Sequence, residues 1–303
     1  MRDVRELLAA TANELFSRHC TTEVISAGYS EKLWATVDGA GLIDGAELPE
    51  AAEVIRVAAQ YAAPIPLAET WLAGRFLADA GHPVPTGPLT VGRFDGGRAT
   101  GVPHARVARG IVAMVGTEVG LVDPATARII PGQNLAGEPR DEVVAVIGEL
   151  RPCGSPFWVE DGYALIRSIQ MAGALERVLQ LSVSHARERE QFGQPLNRFQ
   201  AVAHQLAELA GEVATARAAA DAAVADSDTW RIAAAKVRCG EAAGRAATIA
   251  HQVHGAIGFT EEHVLHHFTL RLWSWRDEFG TESEWASVLG GLVQDTLWEK
   301  LTG

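Results

Sequence analysis

Lysine is almost absent from this chain of 303 residues. Lys32, Lys236 and Lys300 are the only three, and arginine carries nearly all the positive charge, which reads as genomic bias and not as function. There is no basic tail or Lys/Arg run, and the formal net charge is −12, so nucleic acid is excluded as a partner. The acidic balance suits a soluble protein. Cysteine is scarce too: Cys20, Cys153 and Cys239 are scattered, with no CxxC and no Cys/His pairing. That excludes a disulfide scaffold and argues against a zinc site, and it fits a reducing cytoplasm. No run of about 18 apolar residues is free of charge, so no membrane span is expected. The first residues, MRDVRELLAATANELF, are charged at once and lack a long apolar core, which reads as a helix and not a signal peptide. Finally, no G-x-G-x-x-G follows a strand and no P-loop occurs, so the nucleotide fingerprints of α/β folds are missing.

What the chain does have is apolar content, 48%, enough to bury a substantial core. Its texture changes twice. Residues 1–83 read as helical. Val4, Leu7, Leu8, Ala12, Leu15 and Phe16 recur at spacings of three and four. Leu33, Trp34, Val37 and Leu42 suggest a second helix, Pro49 opens a third, and a fourth runs from Ala68 to Ala80. Residues 84–152 break into short Val/Ile/Gly runs (LTVGRF, RGIVAMVG, VGLVD, ARIIPG, DEVVAVIG) split by Asp95-Gly96-Gly97 and Pro131-Gly132, the pattern of a small β-domain. Residues 153–303 are helical again. One segment, Arg198 to Ala225, carries Val202, Leu206, Leu209 and Val213 among alanines, with Asn197 as its expected N-cap. Asp226-Ser227-Asp228 separates it from a helix over Thr229 to about Val253. The fold class expected is mainly α: a helical domain, a small β-domain, then a four-helix bundle.

Two blocks in the last part carry chemistry. The first is Arg187-Glu188-Arg189-Glu190-Gln191-Phe192-Gly193-Gln194-Pro195-Leu196, with Phe199-Gln200 following. The second is His251-Gln252-Val253-His254-Gly255-Ala256-Ile257-Gly258-Phe259-Thr260. Together they resemble the R-x-x-F-G-x-P-L…Q and Q-x-x-G-G-x-G-[FY] signatures of the acyl-CoA dehydrogenase family, in order and at the family's distance, over roughly the last 150 residues. The resemblance implies that Arg189, Phe192, Gln200, Gln252, Gly255, Gly258 and Thr281 contact FAD, reaching across an interface to a neighbouring subunit's flavin. The residue types suit that task. Arginine offers a planar fork to phosphate oxygens, Phe192 can pack on a flat apolar surface, and glycines let backbone approach a ligand. Each also has a plainer use. Arg189 could pair locally at a solvated helix end, and Gly255 and Gly258 could terminate a helix. His263 and His267 stand i, i+4 on an expected helix, but without a spaced carboxylate or cysteine they argue against metal. Trp273, Trp275 and Trp285 read as helix packing.

The sequence also departs from the family pattern. Family enzymes take the α-proton of an acyl-CoA with a glutamate placed just before a Gly-Thr pair. Counting without gaps from Gly258, that position is Phe279, before Gly280-Thr281. Some members place the base on the first bundle helix before an arginine; here that position is Ile166, before Arg167. Neither residue can take a proton. Glu278 and Asp277 lie nearby, but adjacent helical positions point about 100° apart. The β-domain is short and lacks the acidic-Gly-Ser-Asp and W-[IV]-[TS]-N runs. These departures resemble the shorter, base-less subunit of bacterial heterotetrameric, steroid side-chain type enzymes. They imply a second acyl-CoA dehydrogenase-like chain in an α2β2 complex, an acyl-CoA substrate, bulky or steroid, and an electron-carrier flavoprotein. The rival expectations are a self-sufficient homo-oligomer using Glu278 or Asp277 as base, and a flavin-free acyl-CoA-binding or scaffold protein.

Overall fold

The computed structural model describes residues 4–154, 159–260 and 263–293. Five helices come first: α1 (Val4–His19), α2 (Thr22–Ala27), α3 (Glu31–Gly39), α4 (Leu48–Gln60) and α5 (Leu67–Asp79). The apolar spacing of α1 turns Ala12 and Phe16 into the core. The short α2 was not expected from periodicity. It is started by Thr21, whose hydroxyl accepts from the Val24 N–H. Ser30 starts α3 in the same way, through the Leu33 N–H.

Seven strands follow: β1 (Leu89–Arg93), β2 (Arg98–Pro103), β3 (Gly110–Val115), β4 (Glu118–Val122), β5 (Arg128–Ile130), β6 (Arg140–Val144) and β7 (Arg151–Pro152). One sheet has the order β1-β3-β4-β7 and the other β2-β6-β5. β1 runs parallel to β3, Leu89 opposite Gly110, and β3 pairs antiparallel with β4, Ile111 opposite Val122. Phe94, Ala99, Val102, Ile111, Ala113, Val122 and Val143 pack into a common core. Strand β2 lay between two of the expected runs and was not foreseen. Its polar and glycine content hides it, and a register shift between Ala99 and Val102 breaks its alternation.

The rest is α6 (Val159–Glu188), a tight pair β8 (Glu190–Gln191) and β9 (Gln194–Pro195), then α7 (Gln200–Ala225), α8 (Thr229–His254), α9 (Leu265–Asp277) and α10 (Glu282–Val293). These helices form the bundle. Most of α8 is buried, and alanine is the commonest residue there, which lets neighbours approach closely. Side chains of α6 reach α7 through Glu176–Arg217 and α8 through the Cys239 thiol, which donates to the Ser168 carbonyl. The helix expected from Arg198 begins at Gln200. Its N-cap is Phe199, not Asn197, because residues 196–198 form a 3-10 turn first.

The chain makes two compact units. Residues 1–58 and 63–163 form one, so the first helices and the strands share it; residues 59–62 and 164–303 form the other. Among the described residues no helix is long and apolar enough to cross a membrane.

Candidate functional site

The first block turns the chain between two helices, α6 and α7. Helix α6 ends at Glu188, and the Arg189 N–H still bonds the His185 carbonyl at 2.9 Å. Strands β8 and β9 then pair, Gln191 opposite Gln194, leaving Phe192 and Gly193 as the two-residue loop. Both have positive φ, 52° and 80°, as in a type I′ turn. For glycine that is free; for phenylalanine it is strained. Among the described residues nothing covers Phe192, which is 93% exposed and meets Phe199 edge-on at 6.2 Å between centroids. Among the described residues, the Arg189 guanidinium is exposed and has no hydrogen-bond or ion-pair partner. Gln200 is exposed at the first turn of α7, and no side chain caps that helix, so its first N–H groups are orphan donors.

The second block lies at the other end of α8. Gly255 caps the helix with φ 62° and ψ −143°, close to a region that only glycine occupies. Gly258 is buried, and a Cβ there would come within 2.8 Å of His254 Cβ. Gln252 is exposed, and its Oε1 accepts from Gln205 Nε2 of α7 at 2.6 Å. The His185 and His254 rings stack at 4.5 Å. The two blocks therefore meet across the ends of α6 and α8, with α7 alongside. Thr281 is not with them. Glu282, its neighbour, packs over Gly240, fifteen residues before Gly255 on α8, a rise of about 22 Å. The Thr281 hydroxyl and N–H are engaged with Glu284, at 2.9 and 2.7 Å, in a capping box that starts α10.

A third cluster surrounds the positions where a base was sought. Ile166 is fully buried, and Arg167 beside it is 1% exposed. The Arg167 guanidinium lies 5.6 Å from the centre of the Phe279 ring, so Phe279 sits beside the residue that follows Ile166 on α6. Glu278 does not face an open cleft: its carboxylate accepts from Arg167 Nε at 2.9 Å and is 14% exposed. Asp277 is 57% exposed and accepts from Arg276 Nε at 3.0 Å. Phe279 takes φ 54°, and its carbonyl accepts from the Trp285 indole N–H at 2.9 Å. Lys236 Nζ donates to the carbonyls of Trp275 and Arg276, closing the end of α9. Burial, with Arg167 nearby, pulls this lysine down to about 8.

Sequence reasoning passed over Arg167 as a marker of its neighbour and did not single out Gln205, His185 or Glu284. Only Glu284 left a signal, the Thr-x-x-Glu spacing. The tryptophans expected to pack do so at Trp275 and Trp285, while Trp273 stacks on His251. His263 precedes α9 and is not on the same helix as His267. Among the described residues no group of three or more His, Cys, Asp or Glu could hold a metal ion.

Residues 164–282 match the model of the acyl-CoA dehydrogenase C-terminal domain. Acyl-CoA dehydrogenase IpdE2 of Mycolicibacterium smegmatis is 30% identical over 283 residues, which is 87% of this chain and 90% of that protein. IpdE2 of Mycobacterium tuberculosis is 30% identical over 86% of this chain and 88% of its own length. The chain belongs to the acyl-CoA dehydrogenase family. The fold agrees. One chain of the ChsE4-ChsE5 complex from Mycobacterium tuberculosis superposes with a TM-score of 0.87 at 22% identity, covering 98% of both chains. A chain of the Tcur3481-Tcur3483 steroid ACAD G363A variant gives 0.84 at 22% identity, covering 99% of both. Acyl-CoA dehydrogenases are flavin-dependent, and the residues of the two blocks fit FAD. An unpaired guanidinium, uncapped helix N–H groups, two amides and an uncovered aromatic ring gather at one end of the bundle, and that set suits a flat, anionic group.

Proposed function

We propose that this acyl-CoA dehydrogenase chain is the base-less subunit of a heteromeric enzyme and completes the FAD site of a partner chain that carries the catalytic base. The observation that carries this reading is the Arg167 cluster. The two positions the family uses for its base are held here by Ile166 and Phe279, neither of which can take a proton; Arg167, next to Ile166, lies against the Phe279 ring, and Glu278 is tied to Arg167. A carboxylate so paired is engaged with a buried guanidinium and is not free to take a proton from a substrate. Asp277 is exposed to water, which does not suit abstraction of a weakly acidic C–H proton.

In this reading Arg189 binds a phosphate oxygen, Phe192 packs against the cofactor's flat surface, Gln200 and Gln252 supply amides, and the Gly255–Gly258 turn lets backbone come close. When bound, FAD would accept the hydride as the partner's base removes the α-proton of an acyl-CoA, giving the 2,3-enoyl-CoA. This chain's residues hold, orient and shield; no proton moves on them. The similar structures support a two-chain assembly and a bulky acyl-CoA, since one is a ChsE4-ChsE5 complex and another a steroid ACAD. The assembly would be α2β2.

The test is flavin content. The chain is expressed alone and together with an acyl-CoA dehydrogenase-like partner, and flavin absorbance is measured per complex. Flavin is expected only in the co-expressed complex. A full complement in the lone chain overturns the proposal in favour of a self-sufficient enzyme, and no flavin in either overturns it in favour of a scaffold. Arg189→Ala should lower the flavin content of the complex at least tenfold at limiting cofactor, on the scale of about 1.5–3 kcal/mol for a charged hydrogen bond.

A further inference from the structure

Three histidines meet where the two blocks touch. His185 comes from the last turns of α6, His254 is the final residue of α8, and His263 lies in the segment leading into α9. Their ring centroids are 4.5 Å apart for His185–His254, 4.8 Å for His254–His263 and 6.4 Å for His185–His263. We propose that these imidazoles form a proton-operated joint, closed when neutral and parted when protonated. Its consequence for flavin rests on the reading above, but the joint itself does not.

The hydrogen bonds say where a proton would go. His254 Nδ1 lies 2.8 Å from the Ala250 carbonyl, which can only accept, so Nδ1 carries the hydrogen and Nε2 the lone pair. That Nε2 is buried and, among the described residues, has no hydrogen-bond partner. His263 Nδ1 accepts from the Leu265 N–H at 3.2 Å, so its own hydrogen sits on Nε2. A proton added to His254 therefore lands on a nitrogen that has no hydrogen-bond partner among the described residues, against two more imidazoles. Among the described residues, the charged groups around the cluster do little to relieve it. From α6 come Glu188 and Arg189, which pull His185 in opposite directions; from α8 comes His251; from the start of α9 comes His266. Burial holds all three histidines below the ordinary value, His254 at about 4. The joint also touches both blocks directly. The His185 carbonyl accepts the Arg189 N–H, and Gly255 follows His254 and bonds back to the His251 carbonyl. Parting the rings would move the residues assigned to the cofactor.

The test has two arms. In the lone full-length chain, histidine Cε1–H signals and amide exchange over residues 251–260, corrected for intrinsic pH dependence, are followed from pH 8 to 4.5. Exchange there is expected to rise about tenfold, with a midpoint between the free-histidine value and about 4. His185→Phe keeps a flat ring but takes no proton, and should move the midpoint down by about half a pH unit or more. If that variant does not fold, His263→Gln carries the same comparison. An unmoved midpoint, or no local opening, overturns the joint. In the co-expressed complex, flavin retention is read over the same range. Loss that tracks the opening supports the link, and opening without loss refutes the link while leaving the joint in place.

Discussion

At the scale of single residues, Phe192 holds a left-handed backbone and an exposed ring together. A left-handed residue that is not glycine costs about 1–2 kcal/mol. The edge contact with Phe199 returns part of that, on the order of 0.5–1 kcal/mol. Burial returns nothing, because the ring is uncovered. Phe192→Asn, which tolerates positive φ, should therefore leave the lone chain as stable or more stable by up to about 1 kcal/mol in urea unfolding, while the complex loses flavin. A large loss of lone-chain stability would mean that the ring is structural. Glu278 is the opposite case. Glu278→Gln takes a charged partner from the buried Arg167 and should cost about 3 kcal/mol of unfolding free energy. If the variant complex, once folded, still bleaches its flavin with acyl-CoA, Glu278 is not a base; a stable fold with bleaching abolished would make it one. The sequence pointed to residue 279 by counting, yet it could not show that Glu278 is spent on an arginine 111 positions away.

At the scale of elements, the helices were legible because a buried face repeats every three or four residues, and this holds for α1, α4, α5 and α7. The β8–β9 hairpin was not, since strands of two residues carry no alternation and the turn depends on a backbone angle that phenylalanine seldom adopts. The start of α7 was misplaced for a related reason: a 3-10 turn delays the helix past the residue best suited to cap it. The start of α10 shows what the sequence did contain. Thr281 and Glu284 form a reciprocal cap, with Trp285 packed beneath against Gly280. Thr281→Ala should lower stability by about 1 kcal/mol, seen as a shifted urea midpoint at constant slope. Flavin content should stay unchanged if the hydroxyl serves only the cap. A loss of flavin at unchanged stability would restore Thr281 to the cofactor site despite its distance from the Gly255 turn.

At the scale of the whole molecule, the buried titratable groups set how stability depends on pH, and their signs differ on the two sides of neutrality. Burial holds His254 and His267 down to about 4, so between 6.5 and 4 the unfolded chain binds more protons than the folded one. Their contribution is complete above 6.5 and is lost as pH falls toward 4, on the order of 2–3 kcal/mol for His254. On the alkaline side two groups oppose each other. Lys236, lowered to about 8, makes folding easier as pH rises from 8 to 10.5, because the unfolded lysine keeps its proton longer. Cys239, fully buried and pushed up to about 12, makes folding harder above 9, because the unfolded thiol ionises first. Stability should therefore fall steeply from pH 6.5 to 4.5 and stay nearly flat from pH 8 to 10. Urea unfolding of the full chain at half-unit steps checks both limbs. Lys236→Met should turn the flat alkaline limb into a decline above pH 9, because only the thiol then titrates; an unchanged limb would mean that the two groups do not balance.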